Sequence, residues 1–207
     1  MSKEDTALVV KVTRPGITKD EVQEIYADWA QKYDAGMKDR ATPKALIASV
    51  IKDEKDKSVA VLDLAAGTGV VGRKLAENGF TNLEAYDGSA EMLKQAKSKN
   101  IYQKLHCQLI GDSPSVGIKS GSFDLIVCCG AFYPGHLDET CLVEILRMLK
   151  KGGRFYFTRL HYESDPVIRE IEQLQERGLC NLMEKTYIPG IAEQGDGYVL
   201  KVKKSLN

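Results

Sequence analysis

The stretch VLDLAAGTGVVG, Val61 to Gly72, decides the fold. A short apolar run ends in a glycine-rich turn and passes directly into a helical pattern. Gly67, Gly69 and Gly72 fit G-x-G-x-x-G, and Asp87 follows twenty residues after Gly67. That spacing suits a strand–turn–helix whose backbone N–H groups hold a ligand at the helix start. The usual ligand of such a turn is a pyrophosphate. Asp63, however, sets a carboxylate in the strand just ahead of the turn. Like charges in a partly desolvated site repel, so this acid disfavours a phosphate and favours a cation.

Working outward, short apolar runs alternate with helical patterns. VAVLDLA (59–65), LEAYDGS (83–89), LHCQLIGD (105–112), FDLIVCCGAF (123–132) and GGRFYFTRL (152–160) read as strands. Between and after them, 70–78, 90–99, 136–150 and 165–178 read as helices, with Ser89 as an N-cap and Pro166 in a first turn. Such alternation predicts a parallel sheet covered on both faces. CNLMEKTYIPG (180–190) and GYVLKVKKS (197–205) are two further strands joined by IAEQGD. So short a link cannot hold a crossover, so the last two strands pair antiparallel. Ahead of the sheet, 18–34 reads as one helix with Val22, Tyr26, Trp29 and Tyr33 in a stripe. A second helix is capped by Thr42, with Pro43 at its first position. Residues 1–15 give no firm reading.

Composition narrows the function. The chain has 207 residues and balances 29 Lys+Arg against 29 Asp+Glu, whereas nucleic-acid binders usually show a basic excess. No leader pattern opens it and no run is long enough to span a bilayer. Five cysteines without a C-x-x-C suggest neither a disulfide framework nor a zinc site, and three scattered histidines predict no metal. The expectation is a cytoplasmic protein that uses neither nucleic acid nor membrane.

Ligands of open α/β sheets bind beyond the C-terminal strand ends. S-adenosylmethionine (SAM) suits an acid there, because it is net positive, carries a ribose and lacks phosphate. Asp63, Ala65, Gly67 and Gly69 then form the cofactor turn. Asp87 accepts from the ribose hydroxyls or caps the next helix. Met92 supports the adenine or belongs to the core. Asp112 with Ser113 meets the adenine amino group or makes a turn. Gly88 and Gly130 complete the candidate cofactor set.

VLDLAAGTG resembles motif I of the class I SAM-dependent methyltransferases, D/E-x-G-x-G-x-G. YDGSAEML, IGD, FDLIVCCGAF and LKKGGRFYFT resemble its later motifs in order. The resemblance implies a Rossmann-like α/β fold with a seven-stranded, mostly parallel sheet, helices on both faces and a terminal antiparallel hairpin. One departure is Ala65, which stands at the first motif glycine and leaves slightly less room. In related methyltransferases the aromatic residues of a W-A-x-x-Y-D segment fold over the cofactor. Trp29 and Tyr33 in WAQKYD are therefore candidates for an N-terminal helical lid, residues 1–57, over a core of 58–207.

The implied reaction is in-line methyl transfer from SAM, with S-adenosylhomocysteine (SAH) as product and alignment as the main catalytic effect. The acceptor belongs where the fourth and fifth strands end. Phe132, Tyr133, Arg159 and Tyr162 are the candidate substrate residues, and His136 and His161 the candidate bases. His106 opens the third strand, at the opposite end of the sheet. An aromatic rim suits a small, partly apolar acceptor. A SAM-binding protein without turnover and an NAD(P)-linked oxidoreductase are the alternatives.

Overall fold

The computed structural model describes residues 3–37, 41–111, 113–192 and 195–206. Four helices come first: α1 (Lys3–Val12), α2 (Lys19–Trp29), α3 (Tyr33–Met37) and α4 (Ala41–Asp53). Then follow β1 (Val61–Leu64), α5 (Val70–Glu77), β2 (Leu83–Asp87), α6 (Ala90–Ser98), β3 (Lys104–Cys107) and β4 (Phe123–Cys128). A 3₁₀ turn (Glu139–Cys141), α7 (Leu142–Met148), β5 (Leu149–Leu160), α8 (Pro166–Glu176), β6 (Cys180–Ala192) and β7 (Gly195–Lys204) complete the order.

The seven strands form one sheet in the order β3-β2-β1-β4-β5-β7-β6. The pairs β1–β2, β1–β4, β2–β3 and β4–β5 are parallel, while β7 runs antiparallel to both β5 and β6. This is the mostly parallel α/β sheet with a terminal hairpin that the alternation predicts. Alternation along each strand feeds two cores. Leu62, Leu64, Ile126, Phe155 and Phe157 pack with α7 and α8 residues such as Ile145 and Ile171. Val61, Leu125, Val127 and Tyr156 pack on the other face with Leu46 and Val50 of α4 and Leu75 of α5.

Several boundaries differ from the sequence reading, each for a local reason. The third strand stops early where its partner β2 ends, and the fourth where β1 ends, although β5 continues on its other side. Cys107 pairs with Asp87, the last residue of β2, and Cys128 with Leu64, the last of β1. The helix expected over 136–150 begins late, after Asp138 caps the 3₁₀ turn through Thr140 N, and it ends at Met148 because Leu149 already pairs with Phe123. The helix expected over 18–34 is two. Thr18 and Glu21 start α2 with reciprocal hydrogen bonds, and a turn closed by Lys32 N on Trp29 O (2.9 Å) separates it from α3. Thr42 lies inside α4, which begins at Ala41, rather than capping it. Residues 3–12, which carry no clear signal, form α1.

Candidate functional site

β1 delivers the chain to the turn at the C-terminal edge of the sheet. Ala65, Gly67 and Gly69 all adopt positive φ (54°, 54° and 84°). Ala65 therefore holds a conformation that costs a non-glycine residue roughly 1–2 kcal/mol. Two carboxylates organise this turn from opposite sides. Asp87, at the end of β2, accepts from Gly67 N through Oδ2 (2.8 Å) and from Ser89 N through Oδ1 (2.8 Å). Ser89 in turn caps α6 by accepting from Met92 N. One acid thus ties the glycine turn to the next helix.

Asp63 sits elsewhere than the sequence reading expects. It is 1% exposed and lies beneath the turn, outside the cavity lining. Its Oδ2 accepts from Gly72 N at 2.9 Å and from the Tyr102 hydroxyl at 2.6 Å. The alternation of β1 explains this: Asp63 shares a face with Val61 and so points toward the first turn of α5. Gly72 serves the same knot, since a Cβ there would meet the Tyr102 oxygen at 2.0 Å. Burial raises the Asp63 carboxyl to about 7, against the lowering effect of the two hydrogen bonds and with a further push from Asp87. Burial also raises Asp87, opposed by the N–H groups of Ser89, Gly67 and Gly88.

Above the turn lie two adjoining cavities. The first is lined by Asp87, Gly88, Met92, Leu109, Ile110, Gly130, His136 and Leu137, with Lys19, Gln23 and Tyr26 contributed from α2. The second is lined by Val9 and Val12 of α1, Trp29, Thr42, Val70 and Tyr133. Tyr26, Tyr33, Ala65, Gly67, Cys129 and Gly130 line both. His136 Nδ1 is 3.0 Å from Pro134 O, a group that only accepts, so Nδ1 carries the proton. Nε2 is then the acceptor for the Tyr26 hydroxyl at 3.0 Å. Burial lowers the His136 pKa and keeps the ring neutral. The Tyr26 ring meets Trp29, Tyr33 and His136 at centroid distances of 6.2, 6.1 and 5.5 Å.

The N-terminal helices are fastened to the turn. Thr68 Oγ1 donates to Asp34 of α3. Lys99, just after α6, binds Asp34 Oδ2 (2.7 Å) and Thr68 O (2.5 Å). Asp34 closes the W-A-x-x-Y-D segment, but its partnership with Lys99, which carries no sequence signal, exists only after α3 docks. Tyr26 was visible only as one member of an apolar stripe.

Of the candidate residues, Ala65, Gly67, Asp87, Gly88, Met92, Gly130, His136, Tyr133, Trp29 and Tyr33 meet around the two cavities. Gly69 is the N-cap of α5 and Ser113 is exposed; neither lines them. Asp112 falls outside the described residues. Phe132 is 1% exposed and packs in the core against Phe157, with centroids 5.0 Å apart. Arg159 is held by Asp165 through two 2.9 Å bonds and also donates to Phe132 O. With His161 and Tyr162 it lines a third pocket, which shares no residue with the other two. The start of α8 accounts for this, since its capping Asp165 holds Arg159 in the third pocket. His106 is the third residue of β3, paired with Tyr86, and donates through Nε2 to Glu84 Oε2 at 2.6 Å. It therefore lies nearer the C-terminal edge than expected.

The donor set of the first cavity suits a nucleoside better than a dinucleotide. Asp87 offers a carboxylate to hydroxyls, and Met92 and Ile110 give an apolar shelf. Its one lining Lys or Arg among the described residues, Lys19, faces Asp138 at 3.6 Å. No basic cluster awaits a phosphate. Among the described residues there is no group suited to a metal, no helix long and apolar enough to cross a membrane and no disulfide.

Comparison with known proteins gives a consistent picture. Residues 61–153 match the family described as a methyltransferase domain. The chain is 32% identical over 127 residues to human methyltransferase-like protein 27, covering 59% of this chain and 51% of that one. It is 29% identical over 151 residues to an uncharacterized methyltransferase of Schizosaccharomyces pombe, covering 70% and 57%. The chain thus spans about half the length of these curated relatives. Among solved structures, the complex of a Haloferax volcanii methyltransferase with the Trm112 activator superposes with a TM-score of 0.69 at 20% identity, covering 88% of this chain and 98% of that one.

Proposed function

We propose that this chain, whose residues 61–153 match the methyltransferase-domain family, is a class I SAM-dependent methyltransferase that transfers the methyl group of SAM to a small molecule. The observation that carries the proposal is Asp87, a carboxylate that lines the first cavity while holding the glycine turn and the start of α6 in place. Asp87, Gly67, Gly88, Met92 and Gly130 would hold SAM, with Trp29 and Tyr33 closing from the N-terminal side. When bound, SAM supplies a methyl group already activated by its sulfonium. The protein's task is then alignment and exclusion of water. The turn gives rigid backbone, and residues 1–57 form a lid over the core of 58–207, latched through Asp34 and Lys99. His136, neutral and with Nε2 as acceptor, is the candidate base through the Tyr26 hydroxyl.

The aromatic lid supports a small acceptor, since α2 walls both cavities and α1 walls the second. The balanced charge supports an acceptor other than nucleic acid. Calorimetry with SAH tests the central claim. Asp87→Asn turns one carboxylate oxygen into a donor facing a backbone N–H and removes the charge offered to ribose. Charge-assisted bonds contribute about 1.5–3 kcal/mol, so affinity should fall roughly ten- to 150-fold. Undiminished SAH affinity in the folded variant, or NAD binding by the parent protein, would overturn the reading. Incubation of a metabolite extract with methyl-labelled SAM then identifies the acceptor.

A further inference from the structure

The loop that follows β4 carries His136 and is gripped from both faces of the neighbouring strand β5. Successive side chains of a strand point to opposite faces. Thr158 thus shares its face with Tyr156 and Leu160, and Arg159 shares the other with Phe155 and Phe157. Thr158, 4% exposed, accepts from Gly130 N through Oγ1 at 2.8 Å. Arg159 donates from Nη1 to Phe132 O. Beyond these anchors the loop closes on itself. Ala131 O accepts from Leu137 N (2.9 Å), Tyr133 O from His136 N (3.0 Å) and Pro134 O from His136 Nδ1 (3.0 Å). A displacement of Phe132 therefore moves His136, and with it the Nε2 that faces the Tyr26 hydroxyl.

Arg159 itself lines the third pocket, on the far side of this loop. Asp165 fixes its guanidinium through two bonds of 2.9 Å, and the Tyr162 ring lies 4.5 Å from it. The two charged side chains are only 9% and 8% exposed. Charges withdrawn from water in this way add little net stability, because lost hydration offsets their attraction. What the pair supplies is direction. A planar fork seated on its carboxylate has its remaining N–H edge fixed in space, and that edge meets Phe132 O. We propose that Arg159 is a positioning residue for methyl transfer: seated on Asp165, it sets the loop so that His136 Nε2 meets the Tyr26 hydroxyl. Thr158 fixes the near end of the loop at Gly130, and Arg159 fixes the end that bears the imidazole. This rests on the reading of His136 as the base.

The test uses two conservative variants. Arg159→Lys keeps the charge but loses the fork. Asp165→Asn removes the charge and one acceptor while keeping an oxygen for Val167 N at the start of α8. Each is read by nitrogen NMR of the histidine rings, with His136→Gln assigning His136 among the three histidines. SAH calorimetry and label transfer from methyl-labelled SAM in a metabolite extract complete the set. In the parent the His136 ring should show the Nδ1–H tautomer alone, since its partners fix it. In both variants the Nε2–H form should appear, and initial label transfer should fall roughly tenfold or more, as expected of a displaced reacting group. SAH affinity should stay within about threefold, because Thr158 still holds Gly130. Melting curves identify folded variants, and Asp165→Asn keeps the test decisive if Arg159→Lys unfolds. A parental tautomer in the folded variants overturns the proposal, whether or not the extract holds an acceptor. So does a loss of SAH affinity as large as the loss of transfer, which would make Arg159 a support of the donor site. Transfer that survives His136→Gln, with ring signals that still follow Arg159, would instead overturn the base reading and leave the positioning of the loop standing.

Discussion

Asp63 should make the protein's stability fall as pH rises through a range where most proteins are near their optimum. Its carboxyl is buried among apolar strands, and its value moves from 3.8 to about 7. A move of that size corresponds to about 4 kcal/mol between the two protonation states. The sign follows from proton counting. In the unfolded chain Asp63 releases its proton near the ordinary value; in the folded chain it keeps it to about 7. Between these limits the folded state binds more protons, so this group's contribution falls with rising pH, by at most about 1.4 kcal/mol per pH unit, and levels off above 7. Asp63→Asn retains an oxygen for Gly72 N and the Tyr102 hydroxyl but does not titrate. Urea denaturation of both proteins from pH 4.5 to 8 should give a difference curve that climbs in favour of the variant and flattens above 7. A total rise of ~3–4 kcal/mol would be a large part of a typical 5–15 kcal/mol stability. Parallel curves would refute the reasoning and return Asp63 to the range of an ordinary carboxylate.

Gly72→Ala should cost about 2–4 kcal/mol despite alanine's better helix propensity, because its Cβ displaces Tyr102 from Asp63. In a Tyr102→Leu background the same change should cost less than about 1 kcal/mol, and equal costs in the two backgrounds would exclude the steric account. SAH should slow amide exchange across residues 22–37, as expected of a ligand-coupled lid. Lys99→Ala removes the cation that joins Asp34 to Thr68 O, so exchange in α3 should quicken about tenfold, by the roughly 1.5 kcal/mol of a charge-assisted bond. Unaltered α3 exchange in that variant would show that the latch holds nothing.

The mostly parallel sheet with its terminal antiparallel hairpin was legible because alternating runs predict crossovers and a six-residue link allows none. The Ser89 cap and the role of Asp87 as a strand-end acid were legible for the same reason, since both are local. Asp63 was visible as an acid but not as a buried one. Its direction depends on which face of β1 meets α5, and only the pairing of Gly72 with Tyr102, thirty residues apart in sequence, reveals it. Phe132, Arg159, His161 and Tyr162 were grouped with His136 because they end neighbouring strands. Asp165 separates them by capturing Arg159, a contact made only once α8 is in place. α1 was silent because Val9 and Val12 are a weak apolar stripe until Trp29, Val70 and Ile17 enclose them.

The position of β7 sets an order of events on synthesis. β6 lies at the sheet's outer edge and pairs only with β7, while β7 fills the space between β6 and β5. As the chain emerges, β6 is therefore made before anything exists for it to bond, and its thirteen residues must wait with open N–H and C=O groups. The Phe155–Phe157 core is likewise open on that side until Leu200 and Val202 arrive. Closure of the sheet is a late, long-range step, and the interval before residue 204 leaves the ribosome is when the growing chain is most exposed to mispairing with its neighbours.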